Sequence, residues 1–294
     1  MSLKGSLVAL VTPMKPDGAL DEAALERLVE WHIEAGTEGL VIAGTTGESP
    51  TLLRDEHELL LRRVIELASG RIPVIAGTGS NSTEQTLDMS RRAAEAGADA
   101  LLLVVPYYNK PPQRALVAHF RAVADAVKLP ILLYNVPSRT VVDLLPETVA
   151  ELATVPNIAG IKEASARMER VSALRRLCGP DFVLLSGDDA TAAAFLLAGG
   201  DGVVSVTANV VPDRIRRLCD TARKGKVSEA RALDEELVEL NQALFVESNP
   251  IPVKWALHRM GRIDTGIRQP LTALAKTHQA RVEAALEALG VLKA

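Results

Sequence analysis

Residues 100–135 read ALLLVVPYYNKPPQRALVAHFRAVADAVKLPILLYN, and the order of textures along this stretch decides the fold. A continuous apolar run begins at Ala100, helical spacing takes over from Ala115 to Val127, and a second apolar run begins at Pro130. Apolar residues that run on without polar alternation mark a strand buried on both faces, as in a parallel sheet covered by helices. The unit is therefore strand, helix, strand. Working outward, the same kind of run begins at Ser6 (SLVALVT), Gly39 (GLVIAGTTGE), Ile72 (IPVIAGTG), Ile158 (IAGIKEAS), Phe182 (FVLLSGDD) and Gly202 (GVVSVTAN). The spacing is very roughly 30 residues, the length of a strand with its crossover helix. Amphipathic segments at Asp21–Ala35, Arg54–Ser69 and Thr83–Gly97 fill the intervals. Asn81 or Ser82, and Asp188 or Asp189, stand where a side chain caps a helix start, and Gly36, Gly70, Gly97 and Gly199 follow helix ends.

Eight such repeats predict an α/β chain folded as a closed (β/α)8 TIM barrel, here spanning residues 1–224. Helical spacing at Val211–Arg223, Val227–Phe245 and Leu271–Leu289 exceeds what one last barrel helix requires. Residues 225–294 are accordingly expected to form a C-terminal helical extension packed on the barrel, punctuated by prolines 250, 252 and 270.

Of the 294 residues, 48% are hydrophobic and only 3% aromatic, so the core must be built from Ala, Val, Leu and Ile. The net charge of −4 comes with no basic stripe, which argues against nucleic acid as a partner. Cys178 and Cys219 have no metal-ligand spacing and read as buried packing residues in a reducing compartment. The opening MSLKGSLVALVTP is too short in its apolar part for a signal peptide, and no run approaches the ~20 apolar residues that span a bilayer. A cytoplasmic protein without membrane contact is expected. The five histidines, at 32, 57, 119, 258 and 278, show no ligand pairing, so no metal is expected.

In such a barrel, chemistry sits at the C-terminal ends of the strands. Those ends carry Thr45, Thr46 and Glu48, then Tyr107, Tyr108 and Asn109, then Tyr134 and Asn135 with Arg139 close behind. Lys162–Glu163, Ser186–Asp189, and Ser205 with Thr207 complete the set. All three tyrosines of the chain fall there. Lys162 has two readings: aimed into the barrel mouth, or paired with Glu163 or snorkelling to solvent. In the mouth, loss of water disfavours the ammonium form, and a neutral amine attacks a ketone to give an iminium that stabilises an adjacent carbanion. A phenol beside it, with Tyr134 one strand over, can carry the protons this requires. GTTGE lacks the lysine of a phosphate loop, and GTGSNS lacks the third glycine of a dinucleotide fingerprint. The GTTGE glycines suit either a tight turn or backbone N–H groups converging on a small carboxylate.

Taken together, GTTGESPTL, VPYYNKP, LYNVPSRT, GIKEAS, SGDD, VVSVTANV and NPIPVKW span almost the whole chain in order. The sequence resembles the dihydrodipicolinate synthase family, within the pyruvate-dependent Schiff-base aldolases that also include N-acetylneuraminate lyase. The resemblance implies a lyase acting in lysine and diaminopimelate biosynthesis. Lys162 would be the Schiff-base residue for pyruvate and Tyr134 the acid/base, with Thr45 and Tyr108 completing a hydroxyl relay. Tyr108 would come from a neighbouring subunit of a homo-oligomer, a dimer of dimers. Thr46 would hold the pyruvate carboxylate, with Val204 and Gly187 contributing substrate contacts, and Arg139 would bind the carboxylate of L-aspartate 4-semialdehyde. No cofactor is implied. Ser49, His57, Asn81 and Tyr107 match the site at which lysine inhibits some members. Gln85 stands in place of a glutamate and Arg54 in place of a histidine, which predicts weak or absent lysine feedback. A sugar-acid or hydroxy-keto-acid lyase of the same superfamily stays open, as does a non-catalytic barrel that binds a small anion.

Overall fold

A computed structural model describes residues 2–292. Eight parallel strands close on themselves in chain order: β1 (Gly5–Ala9), β2 (Gly39–Ile42), β3 (Val74–Gly77), β4 (Ala100–Val104), β5 (Ile131–Asn135), β6 (Ile158–Glu163), β7 (Val183–Ser186) and β8 (Gly202–Ser205). β8 pairs back onto β1, with Leu7 opposite Val204. Because side chains alternate along a strand, the barrel sorts its apolar residues into two cores. Leu7, Val41, Ile75, Leu102, Leu132, Leu185 and Val204 fill the interior, while Leu40, Leu101, Leu133, Ile161 and Leu184 face the helices. Inner and outer layers are both apolar, which is why the strands read as unbroken hydrophobic runs.

The outer layer is formed by α1 (Glu22–Glu34), α2 (Arg54–Ala68), α3 (Thr83–Ala96), α4 (Gln113–Ala126), the single turn α5 (Pro137–Thr140), α6 (Pro146–Leu152), α7 (Glu169–Cys178), α8 (Ala192–Leu197) and α9 (Pro212–Arg223). Ser82 rather than Asn81 caps α3, its Oγ accepting from the Gln85 N–H. The two aspartates of SGDD divide their work. Asp188 accepts from the N–H of Thr191 at 3.1 Å and caps the turn before α8. Asp189 is no cap. It is buried and accepts from the N–H groups of Val206 and Thr207 at 2.8 and 3.0 Å, which stitches the end of β7 to the end of β8. Burial raises its carboxyl above the ordinary range despite those donors.

Beyond α9 lie α10 (Val227–Ala243), α11 (Ile251–Arg259) and α12 (Lys276–Ala288). Two expectations need correction here. The proline-rich stretch around residue 250 is not mere punctuation, because it starts α11. Pro252 sits in the first turn, where the missing N–H has no acceptor to lose. The last helix begins at Lys276, not Leu271: Leu274 is buried before the helix, and helical geometry starts only past Ala275. Cys219 is buried as expected, but Cys178 at the end of α7 is only partly covered. α10 is fastened to the barrel mouth by Asn241, which accepts from Thr207 Oγ1 at 2.7 Å and donates to the Asp189 carbonyl at 3.3 Å. Among the described residues no helix is long and apolar enough to cross a membrane.

Candidate active site

β6 settles the two readings of Lys162. Ile161 belongs to the outer core, so alternation turns Gly160 and Lys162 inward. Lys162 is 6% exposed, and Tyr134 stands directly opposite it in the β5–β6 register. Its Nζ lies 4.2 Å from the centroid of the Tyr134 ring. Tyr134 forms the upper edge of the inner core with Val136, Leu185 and Val204. Gly187, just past β7, lies against the lysine stem: a Cβ there would stand 2.8 Å from both Lys162 Cε and Ala164 Cβ.

Glu163 has the opposite phase and does not pair with Lys162. It is buried behind the strand, 3.0 Å from Arg170 Nε, and accepts from Asn135 Nδ2 and from the Ser165 N–H at 2.8 Å. Arg170 in turn holds Asp143, which accepts from the same Asn135 amide at 2.9 Å. A buried carboxylate with its own cation and two donors is already engaged, which leaves the amine without a counter-ion. Among the described residues Lys162 makes no ion pair.

The loop after β2 bends sharply. Ala43 and Glu48 both take left-handed backbone angles, φ 53° and 56°, which non-glycine residues adopt only under constraint. The N–H groups of Gly47 and Ser49 bond back to the Gly44 carbonyl and that of Glu48 to Thr45. Among the described residues the N–H groups of Gly44, Thr45 and Thr46 have no partner within the chain. Thr46 is buried and its Oγ1 accepts from Asn249 Nδ2 at 2.9 Å. Thr45 is half-buried at the cavity edge.

What constrains this loop comes from the far end of the chain. Glu48 is buried with Lys254 of α11 in an ion pair, and its second oxygen accepts from the Arg268 N–H at 3.0 Å. Burial pulls the Lys254 ammonium below its ordinary value, against the attraction of Glu48. The Arg268 guanidinium also reaches the carbonyls of Gly18 and Thr51, at 2.9 and 2.8 Å, and pairs with Glu56. Arg139, on α5, is exposed and donates to the Asn249 carbonyl at 3.3 Å. Asn249, Lys254 and Arg268 were not singled out from the sequence. A signal for one of them existed, since a lysine inside the apolar run PVKWAL calls for a buried carboxylate partner.

A cavity of about 760 Å3 lies between the loop after β2, α2, α3 and the start of α5, and Lys162 and Tyr134 are not among its walls. It meets the mouth at Thr45, Val136 and Arg139 and runs outward past Ser49, His57, Gln85 and Tyr107. Strand-end chemistry, not cavity size, locates the reacting centre. Asn81 is not in its wall, its carbonyl being held by Asn109 Nδ2 at 2.8 Å. His57 Nε2 donates to the Gly77 carbonyl at 2.9 Å, and burial holds the ring below the usual imidazole range. Arg54 pairs with Asp88, and Arg92 bridges Asp88 and Glu58. Tyr108 is not brought to Lys162 within one chain. It is 87% exposed on a backbone at φ 74°, projecting from the molecule.

A buried amine, a phenol, a hydroxyl pair and unpaired loop N–H groups at the strand ends suit capture of a keto acid. Comparison with known proteins agrees. The sequence profile of the Dihydrodipicolinate synthetase family matches residues 2–289. The 4-hydroxy-tetrahydrodipicolinate synthase of Methylococcus capsulatus is 55% identical over 290 residues, covering 99% of this chain and 100% of its own. That of Alcanivorax borkumensis is 54% identical over 291 residues, 99% of both chains. The crystal structure of the chloride-inhibited dihydrodipicolinate synthase from Acinetobacter baumannii, complexed with pyruvate, superposes with a TM-score of 0.98 at 49% identity over 99% of this chain and 100% of that one. With an inward lysine on β6, its tyrosine across the register and likeness along its whole length, the chain belongs to the dihydrodipicolinate synthetase family.

Proposed function

We propose that this chain is a 4-hydroxy-tetrahydrodipicolinate synthase, a lyase that condenses pyruvate with L-aspartate 4-semialdehyde through a Schiff base on Lys162. The single observation carrying the reading is the buried Lys162 Nζ held 4.2 Å from the Tyr134 ring centroid at the inner end of β6. The amine attacks the pyruvate ketone carbon, Tyr134 passes a proton to the carbinolamine oxygen, and water leaves to give the iminium. Loss of a methyl proton yields an enamine, which adds to the semialdehyde's aldehyde carbon. The substrate's own amine then attacks the iminium carbon and releases Lys162 as the ring closes. Thr45 and Tyr108 relay the protons, Tyr108 coming from a neighbouring subunit, which its exposure supports. The assembly is a dimer of dimers in the cytoplasm.

Thr46 and the free N–H groups beside it bind the pyruvate carboxylate, Val204 and Gly187 line the opposite side, and Arg139 binds the second carboxylate. A sugar-acid lyase would want a polar, neutral lining at this position, whereas the Arg139 guanidinium suits a second carboxylate. Residues 1–224 act as the catalytic barrel and 225–294 as an extension that braces it. Lysine feedback through Ser49, His57, Asn81 and Tyr107 is weak, since Gln85 is neutral, accepting from Ser80 Oγ at 2.8 Å, and Arg54 adds a cation. Half-maximal inhibition at low lysine concentration would overturn that part.

Borohydride trapping with pyruvate, followed by peptide mapping, tests the centre: one adduct is expected, on Lys162. An adduct elsewhere, or none, removes the mechanism. Arg139→Ala should raise the semialdehyde KM by roughly 10- to 100-fold while leaving pyruvate trapping intact.

A further inference from the structure

Asn249 comes from the segment before α11, 203 residues from Thr46, yet touches both groups assigned to substrate carboxylates. It is 5% exposed, its Nδ2 donates to Thr46 Oγ1 at 2.9 Å, and its carbonyl accepts from Arg139 Nη2 at 3.3 Å. Its Oδ1 is buried without a partner. A threonine hydroxyl has one proton to give. When an amide N–H occupies a lone pair of Oγ1, that proton is free to point elsewhere, and a substrate carboxylate is the strongest acceptor within the mouth. If the amide were reversed, its oxygen would take the proton and withdraw it from the substrate.

We infer that Asn249 is a positioning residue for the pyruvate carboxylate: its amide sets the direction of the Thr46 hydroxyl, while its backbone carbonyl sets Arg139. The two functions are separable, because a side-chain substitution deletes the first and keeps the second. This inference rests on the synthase reading above.

Four variants carry the test: Asn249→Ala, the same-shaped Asn249→Asp, Thr46→Val, and Thr46→Val combined with Asn249→Ala. Asn249→Ala should raise the pyruvate KM by roughly 3- to 10-fold with a smaller change in kcat, and leave the semialdehyde KM within about twofold. Asn249→Asp, which accepts the hydroxyl proton instead of directing it, should raise the pyruvate KM further. In the Thr46→Val background the Asn249→Ala change should add nothing more than about twofold, since both act on one interaction. Equal rises in both KM values, additive effects of the two substitutions, or an unchanged pyruvate KM in both Asn249 variants would each overturn the inference. Borohydride trapping on the wild-type chain is run alongside. Absence of a Lys162 adduct there sinks the synthase reading itself, whereas a wild-type adduct with unmoved variants sinks only the role of Asn249.

Discussion

Lys162 reaches the mouth along a path that residue 187 leaves open, since any Cβ there would press on the lysine's Cε from 2.8 Å. Gly187→Ala is therefore expected to lower kcat roughly tenfold or more by displacing the amine, because sub-ångström errors at a reacting centre are magnified. The neighbouring atoms belong partly to a flexible side chain, so the thermal midpoint should move little; steady-state kinetics beside a melting curve checks both halves. Tyr134→Phe keeps the ring packed in the inner core and removes only the proton. Turnover should fall by roughly 10²- to 10³-fold, and the pyruvate adduct should still form, more slowly, by borohydride trapping time courses. At this scale the sequence was informative wherever alternation settles direction. The run IAGIK already fixes that Lys162 and Ile161 face opposite ways, and the structure adds that Glu163 belongs to Arg170. Asn249 was invisible for a plain reason: its partner Thr46 lies in the loop after the second strand, and no local period links an amide to a hydroxyl so far away in the chain.

Among the elements, the loop after β2 and helix α11 depend on one another. Glu48 is 0% and Lys254 4% exposed at their side chains, so neither charge has water to fall back on. Removing one partner, as in Glu48→Gln or Lys254→Met, should destabilise the chain by about 3–5 kcal/mol, and removing both should cost clearly less than the sum, because a lone buried charge is worse than none. Urea unfolding of the two single variants and the double variant measures this, and simple additivity would refute the coupling. The strands and barrel helices were legible because each buries a continuous apolar face with capping residues at its ends. The C-terminal helices were less so. Pro250 and Pro252 look like breakers until their positions as the cap and in the first turn of α11 are known, and Leu271–Ala275 has helical composition but is not helical, with Leu274 in the core.

For the whole molecule, two histidines locked inside set its response to acid. His32 is 0% exposed and burial, helped by nearby Arg262, pushes it down to about 3; burial alone takes His119 down to about 4. Unfolded, both would take up protons near pH 6.5. Below that value the unfolded chain binds protons that the folded chain refuses, so their contribution is complete above about pH 6.5 and lost as pH falls toward 4 and then 3. Going from pH 7 to pH 5 should remove on the order of 2 kcal/mol per histidine, read from urea midpoints, and His32→Gln should flatten the slope.

Tyr108, thrust out of its own chain into solvent, has a genetic consequence. If each mouth borrows that phenol from next door, two dead proteins can repair one another. A Lys162→Ala chain mixed and reassembled with a Tyr108→Phe chain would form hybrids in which one mouth has both its own amine and a donated phenol. A fresh equal mixture should climb to about a quarter of wild-type activity as subunits exchange, although neither parent works alone.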